Sequence, residues 1–85
     1  MVLRIDNSLT EMFNNEVLHV CNERNIAVNR LFAKHKPREV TDCISVISYN
    51  LTALQIDKKE IAYFWGKTTQ SIDADIKRCI DLKLL

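Results

Sequence analysis

The stretch WGKTTQSI, residues 65–72, contains four consecutive residues of the kind that bind phosphate in nucleotide-binding proteins. Gly66-Lys67-Thr68-Thr69 matches the end of the GxxxxGKS/T loop, which cradles nucleotide phosphates after a buried strand. That loop has a second glycine five residues earlier, where this chain has Ile61 within a helical pattern. A branched side chain keeps the backbone from wrapping a phosphate as glycine does. The sequence therefore indicates a turn between helices rather than a nucleotide site.

The histidines and cysteines form no pattern typical of catalysis or metal binding. His19 and Cys21 alternate, His35 is isolated, and no CxxC or HxxxH spacing occurs. A zinc site needs four convergent ligands, and a cysteine nucleophile needs an orienting base and an exposed thiolate. Cys43 and Cys79 fall on or beside apolar stripes, which predicts core packing. We therefore expect no catalytic residue, metal or cofactor, and no enzymatic activity.

The charges are unevenly distributed along the chain. The 85 residues carry 12 Lys and Arg against 11 Asp and Glu, but residues 24–38 hold five basic residues, one His and no acid. A local basic patch on a neutral protein suits a focused contact with a polyanion. The alternative is an ordinary solvated charge cluster, which the run alone would favour.

Length and composition predict a single domain, 1–85, in a reducing compartment. The chain has three cysteines, an odd number, and they lie far apart in the sequence at positions 21, 43 and 79. This pattern is typical of reduced thiols rather than of disulfides. Arg4 and Asp6 interrupt the start of the chain, so no signal peptide is predicted, and no apolar run approaches a membrane span. We expect a cytoplasmic protein without membrane contact.

Apolar residues recur at helical spacing almost throughout, which predicts an all-α domain of five helices. Ser8 with Glu11 fits a capping box, Asn25 could end the first helix in the left-handed conformation, and Asp57 with Glu60 fits the start of a later helix. The predicted helices span about 8–24, 28–33, 38–54, 57–65 and 69–83.

The last two helices fit a helix–turn–helix at about 57–83. Ala62, Gly66 and Ile72 supply a small residue at the crossing, a turn glycine and an apolar anchor. The second helix begins with uncharged polar residues that could read bases in the major groove. These candidate base-reading residues are Thr68, Thr69, Gln70 and Ser71. The alternative is a helical hairpin that only packs, in which Thr68 or Thr69 is simply the N-cap. Trp65 is predicted to be a core residue rather than a stacking platform for bases.

Residues 20–82 resemble the C-terminal DNA-binding domain of DnaA, the bacterial replication initiator. That family has an Ile-x-Val-x-x-Leu-Leu segment, a Lys/Arg-rich loop and a long helix, similar to 26–32, 33–40 and 38–54. Its pattern Glu-Ile-Gly-x-x-Phe-Gly-Gly-Arg-Asp-His-Thr-Thr-Val is similar to Glu60–Ile72, which is one residue shorter. The resemblance implies a helix–turn–helix fold of the type found in the Trp repressor and the DnaA C-terminal domain.

The resemblance also implies DNA-contacting residues. Lys34, Lys36 and Arg38 would hold the DNA backbone, with Arg38 entering the minor groove, and Lys67 would touch phosphate at the turn. The family's Asp-His-Thr-Thr is replaced here by residues 68–71, so the initiator's own target sequence is not expected to be bound. Acids at positions 73 and 75 also depart from an ideal recognition helix, because they would repel phosphates.

Two functions follow as hypotheses. The first is recognition of double-stranded DNA in replication or transcription control. The second is a protein-interaction module on the same helical scaffold, which an exposed apolar patch on Met12 and Phe13, or on Tyr63 and Phe64, would favour. The sequence does not choose between a monomer and a dimer.

Overall fold

The fold is all-α, as predicted. The computed structural model describes the backbone of residues 2–84 and the side chains of residues 9–84, and no strand occurs within this range. The elements in chain order are α1 (Val2–Arg24), a 3₁₀ helix (Val28–Phe32), α2 (Arg38–Ala53), α3 (Lys58–Trp65) and α4 (Thr69–Asp81). The prediction of five helices is not confirmed, because the described chain has four α-helices and one short 3₁₀ turn.

The first helix starts earlier than its sequence signals indicate. It begins at Val2, not near position 8, so Ser8 lies inside the helix and does not cap it. The capping-box prediction is therefore wrong. No Gly or Pro interrupts residues 2–7, so nothing in the chain prevents the helix from extending backwards. The side chain of Ser8 is not among those that the structure describes.

All four α-helices end in the same way. A residue with positive φ is followed by one whose N–H donates to the carbonyl five residues earlier, at N···O distances of 2.9–3.2 Å. This is the Schellman arrangement, which satisfies carbonyls left unpaired at a helix end. The positive-φ residues are Asn25 at 57°, Gln55 at 70°, Gly66 at 67° and Lys83 at 52°. The prediction for Asn25 is confirmed.

The second α-helix is the centre of the core. It packs against both α1 and α4, and its middle is buried on nearly every side, which is why its apolar pattern was the most regular in the sequence. Its buried residues are Val40, Cys43, Ile44, Ser45, Val46, Ile47, Ser48 and Leu51. None of the described helices combines the length and apolar character needed to cross a bilayer.

An aromatic cluster joins α1, the 3₁₀ helix and the end of α3. Phe13 stacks on Phe64 with ring centroids 4.5 Å apart and meets Trp65 edge-on at 5.1 Å. Phe32, the last residue of the 3₁₀ helix, lies 5.5 Å from Trp65 between ring centroids. Trp65 is thus a partly buried packing residue, as predicted. The cluster anchors Phe32, which immediately precedes residues 33–38, the basic segment that carries Lys34, Lys36 and Arg38.

Candidate nucleic-acid interface

Local hydrogen bonds fix both ends of α3, the second of which begins the turn to α4. The Asp57 carboxylate caps α3 by accepting from the Lys59 N–H at 3.1 Å. Gly66 takes the left-handed conformation, and a Cβ added to it would meet nothing within 4 Å. Glycine is therefore favoured here by its φ angle and not by a close approach of other atoms. Beyond the turn, Ile72 is fully buried and anchors α4.

The first turn of α4 presents polar side chains to solvent. Thr68 is the N-cap: its Oγ1 accepts from the Ser71 N–H at 3.1 Å and lies 3.3 Å from the Ser71 hydroxyl. Thr69 and Gln70 are exposed and have no hydrogen-bond partner among the described residues. The structure thus brings all four predicted base-reading residues to one exposed turn. Two of them are engaged in the cap, and two are unengaged.

Removing the cap should destabilise the domain. We expect Thr68→Ala to lower the free energy of unfolding by about 1 kcal/mol, because the Ser71 N–H loses its acceptor. Chemical denaturation measures the change, and Thr69→Ala, an exposed threonine one residue along, is the matched control with little expected effect. Equal losses in the two variants would contradict the assignment of Thr68 as the cap.

The acids on α4 are paired with lysines of the preceding helix and turn. Asp73 Oδ1 lies 2.5 Å from Lys58 Nζ, and Asp75 Oδ2 lies 2.8 Å from Lys67 Nζ. The second pair is the more enclosed, with side chains 29% exposed for Lys67 and 13% for Asp75. Lys67 therefore lies at the turn as predicted, but its ammonium is engaged by a carboxylate. A phosphate contact from Lys67 would have to share that ammonium.

The predicted phosphate-binding residues of the basic segment have no acidic partner among the side chains that the structure describes. Lys34, Lys36 and Arg38 are exposed, and none forms an ion pair with any residue whose side chain is described. In contrast, Arg30 lies 3.4 Å from Glu39 in an exposed pair that contributes little to stability. The three free cations can therefore meet a polyanion without first breaking an internal contact.

Residues on either side of the basic segment contact α3 and α4. Before it, Phe32 packs on Trp65, which immediately precedes the α3–α4 turn. After it, Asp42 Oδ1 accepts from Arg78 of α4 at 2.7 Å from Nη2 and 3.1 Å from Nε. Arg38 is one helical turn before Asp42 and so shares its side of α2. These two contacts fix the residues that flank the basic segment against the end of α3 and the later part of α4.

Lys77 is a further cation on α4 that the sequence reasoning missed. It is exposed and has no ion pair within the described part of the chain. It follows Gln70 by seven residues, which places the two side chains within about 20° of each other around the helix. That spacing was visible in the sequence and could have identified it.

The buried thiols are packing groups. Cys21, Cys43 and Cys79 are all buried and unbridged. Burial raises the pKa of Cys43 to about 12, with the neighbouring Cys21 adding to the rise, and burial also raises the pKa of Cys79. The thiols of Cys43 and Cys79 are therefore protonated at neutral pH. Among the described residues, no group of three or more His, Cys, Asp or Glu side chains is arranged to hold a metal ion.

A second surface of the domain carries an exposed aromatic side chain. Tyr63 is 81% exposed beside the partly buried Phe64, next to a groove of about 540 Å³ between α1 and α3. Phe13 is buried, so the patch of Met12 and Phe13 considered from the sequence is not exposed as a unit. Of the two apolar patches, the one on α3 is therefore the candidate protein contact.

The exposed residues at the start of α4 and the cations without a described acidic partner have the chemistry suited to a nucleic acid. They offer uncharged hydrogen-bonding groups at Thr69 and Gln70 and positive charge at positions 34, 36, 38 and 77. Groups of these two kinds can contact base edges and phosphates. Comparisons of the chain with known protein families, curated proteins and solved structures give no match.

Proposed function

We propose that this protein is a double-stranded DNA-binding module that acts in replication or transcription control. In this proposal α3 and α4 form a helix–turn–helix like that of the DnaA C-terminal domain. The observation that carries it is the start of α4, where the side chains of Thr69 and Gln70 are exposed and have no hydrogen-bond partner among the described residues. The exposed cations at positions 34, 36 and 38, which have no acidic partner among the described side chains, support it. Helix–turn–helix proteins read base edges with the N-terminal residues of their second helix.

In the proposed interface, one set of residues provides affinity for DNA and another set recognises its sequence. Lys34, Lys36, Arg38 and Lys77 would contact phosphates, which supplies affinity that depends on salt but not on sequence. Gln70 would supply base choice, because its amide can donate to and accept from adenine in the major groove. The methyl group of Thr69 can approach the methyl group of thymine.

The pairing of the acids removes one objection to this proposal. An unpaired carboxylate on the reading helix would repel phosphates. Each of the two acids in the middle of α4 has a lysine within 2.8 Å, so the nearby field is close to neutral rather than negative. The DNA-facing charge is then dominated by the free cations of the basic segment.

The proposal is tested by fluorescence anisotropy with a labelled duplex of mixed sequence at two salt concentrations. We expect binding that weakens steeply as salt rises, because phosphate contacts release counterions. A preferred site can then be selected from a random duplex library. Absence of binding even at low salt would contradict the proposed function.

Changing Gln70 should alter sequence preference. We expect Gln70→Ala to cost about 1–3 kcal/mol on the selected site, because a bidentate contact to adenine is lost, and to change binding to mixed duplexes little. Anisotropy titrations on the selected site and on single-base variants measure this. Asn15→Ala, an exposed amide on α1, is the matched control. If both variants kept the wild-type preference, Gln70 would not be a reading residue.

The second candidate function is a protein-interaction module. The highly exposed Tyr63 beside the groove favours it, because exposed aromatic side chains are enriched at protein contacts. This function would be preferred if the chain bound no duplex at low salt.

A further inference from the structure

Asp73 lies on the same exposed side of α4 as Gln70. It is three residues further along, which places it about 60° around the helix and about 4.5 Å along its axis. Its side chain is 56% exposed, whereas that of Asp75 is 13% exposed and faces the turn. Of these two acids, Asp73 is the one that a molecule contacting Gln70 would also meet.

The contact between Asp73 and Lys58 leaves part of the carboxylate available. Lys58 Nζ lies 2.5 Å from Oδ1, while Oδ2 has no partner among the described residues. Both side chains are about half-exposed, and an ion pair in such a position contributes little to stability. The pair turns Oδ1 toward Lys58 and leaves the second oxygen available to another donor.

An ionised carboxylate accepts hydrogen bonds and donates none. In the major groove, the 4-amino group of cytosine is a donor that Asp and Glu side chains accept from, whereas guanine presents acceptors there. The rise of about 4.5 Å between Gln70 and Asp73 is longer than one step of about 3.4 Å between stacked bases and shorter than two. Two such residues can therefore address neighbouring base pairs.

We propose that Asp73 is a second base-reading residue, which selects cytosine at a base pair next to the one read by Gln70. This assignment depends on the proposed function. Lys58 acts as a positioning residue: it holds Oδ1 and lies at the first residue of α3, the helix that crosses the DNA backbone in this motif. In this proposal Asp73, which departs from the DnaA pattern, contributes to recognition of the DNA sequence.

The test is selection of preferred duplexes from a random library by the wild-type protein, Asp73→Asn and Asp81→Asn. Asp81 is an exposed acid at the last residue of α4, so its variant removes the same charge away from Gln70. We expect the wild type to enrich cytosine beside the position lost in Gln70→Ala. Asp73→Asn should lower that cytosine preference about tenfold and shift it toward adenine, which asparagine can pair with.

The remaining arms separate this assignment from simpler effects. Asp81→Asn should leave the cytosine preference unchanged, and Lys58→Ala should weaken it at the same position. If Asp73→Asn raised affinity for all duplexes alike and kept the cytosine preference, the acid would only repel DNA and the assignment would be overturned. If the wild type bound no duplex at low salt, the proposed function itself would fail, and this assignment with it.

Discussion

Replacing Lys34, Lys36 and Arg38 together with alanine is expected to weaken binding to every duplex alike, by roughly a hundredfold at about 0.15 M salt. These cations are exposed and have no acidic partner among the described side chains, so their loss removes phosphate contacts without breaking an internal ion pair. The slope of log affinity against log salt should become shallower by about three, since each contact contributes about 0.9. Anisotropy titrations over a salt series measure both quantities.

A charge-conserving variant provides the control for this result. Exchanging Lys34 and Lys36 for arginine and Arg38 for lysine keeps three positive charges, so affinity and salt slope should change little. A substantial loss at Arg38→Lys alone would indicate that the arginine does more than neutralise phosphate, as insertion into the minor groove would require. Unchanged binding in the alanine variant would remove the basic segment from the interface.

Truncating the anchor of α4 is the second change for which we expect a large effect. Ile72 is fully buried, and Ile72→Ala should lower the free energy of unfolding by about 3 kcal/mol through lost apolar contacts and the cavity left behind. That is a large part of the stability of about 5 kcal/mol expected for so small a domain. Denaturant unfolding followed by circular dichroism measures it. DNA binding should weaken in parallel, because the start of α4 loses its support.

Ile80 offers a matched control on the same helix. Its side chain is 56% exposed, so Ile80→Ala removes the same atoms from a site where little apolar surface is buried, and stability should change by less than about 0.5 kcal/mol. Comparable losses in the two variants would mean that α4 is not held by the face that carries Ile72.

The helix boundaries were predictable where the chain carries a local signal. Pro37 marks the start of α2, Asp57 caps α3, and Gly66 ends it, and these boundaries were predicted to within about a residue. The start of α1 was missed because the signal at Ser8 is weak, while nothing before it stops a helix. The predicted end of α4 near 83 was two residues too late. Lys83 adopts a positive φ, which a lysine in the sequence does not indicate.

The residue types of the candidate site were visible in the sequence, but their pairing was not. Lys67 and Asp75 are eight positions apart, and Lys58 and Asp73 are fifteen apart, so whether they meet depends on how α3 and α4 cross. The position of the basic segment likewise depends on the contact of Phe32 with Trp65 and of Asp42 with Arg78. Such long-range contacts are set by packing of the whole domain, and periodicity within a single helix does not contain them.

The four helix ends have a consequence for how the sequence can change over time. Three of the four left-handed positions at the helix ends are not glycine: Asn25, Gln55 and Lys83. The fold therefore already tolerates a backbone penalty of about 1 kcal/mol at each of these helix ends. The fourth, Gly66, has open space around its Cα, so its only requirement is a backbone angle that asparagine can also adopt. The angle between α3 and α4 can therefore survive replacement of the residue that makes it recognisable. Distant relatives of this protein would then share the angle between α3 and α4 without having a glycine at this position.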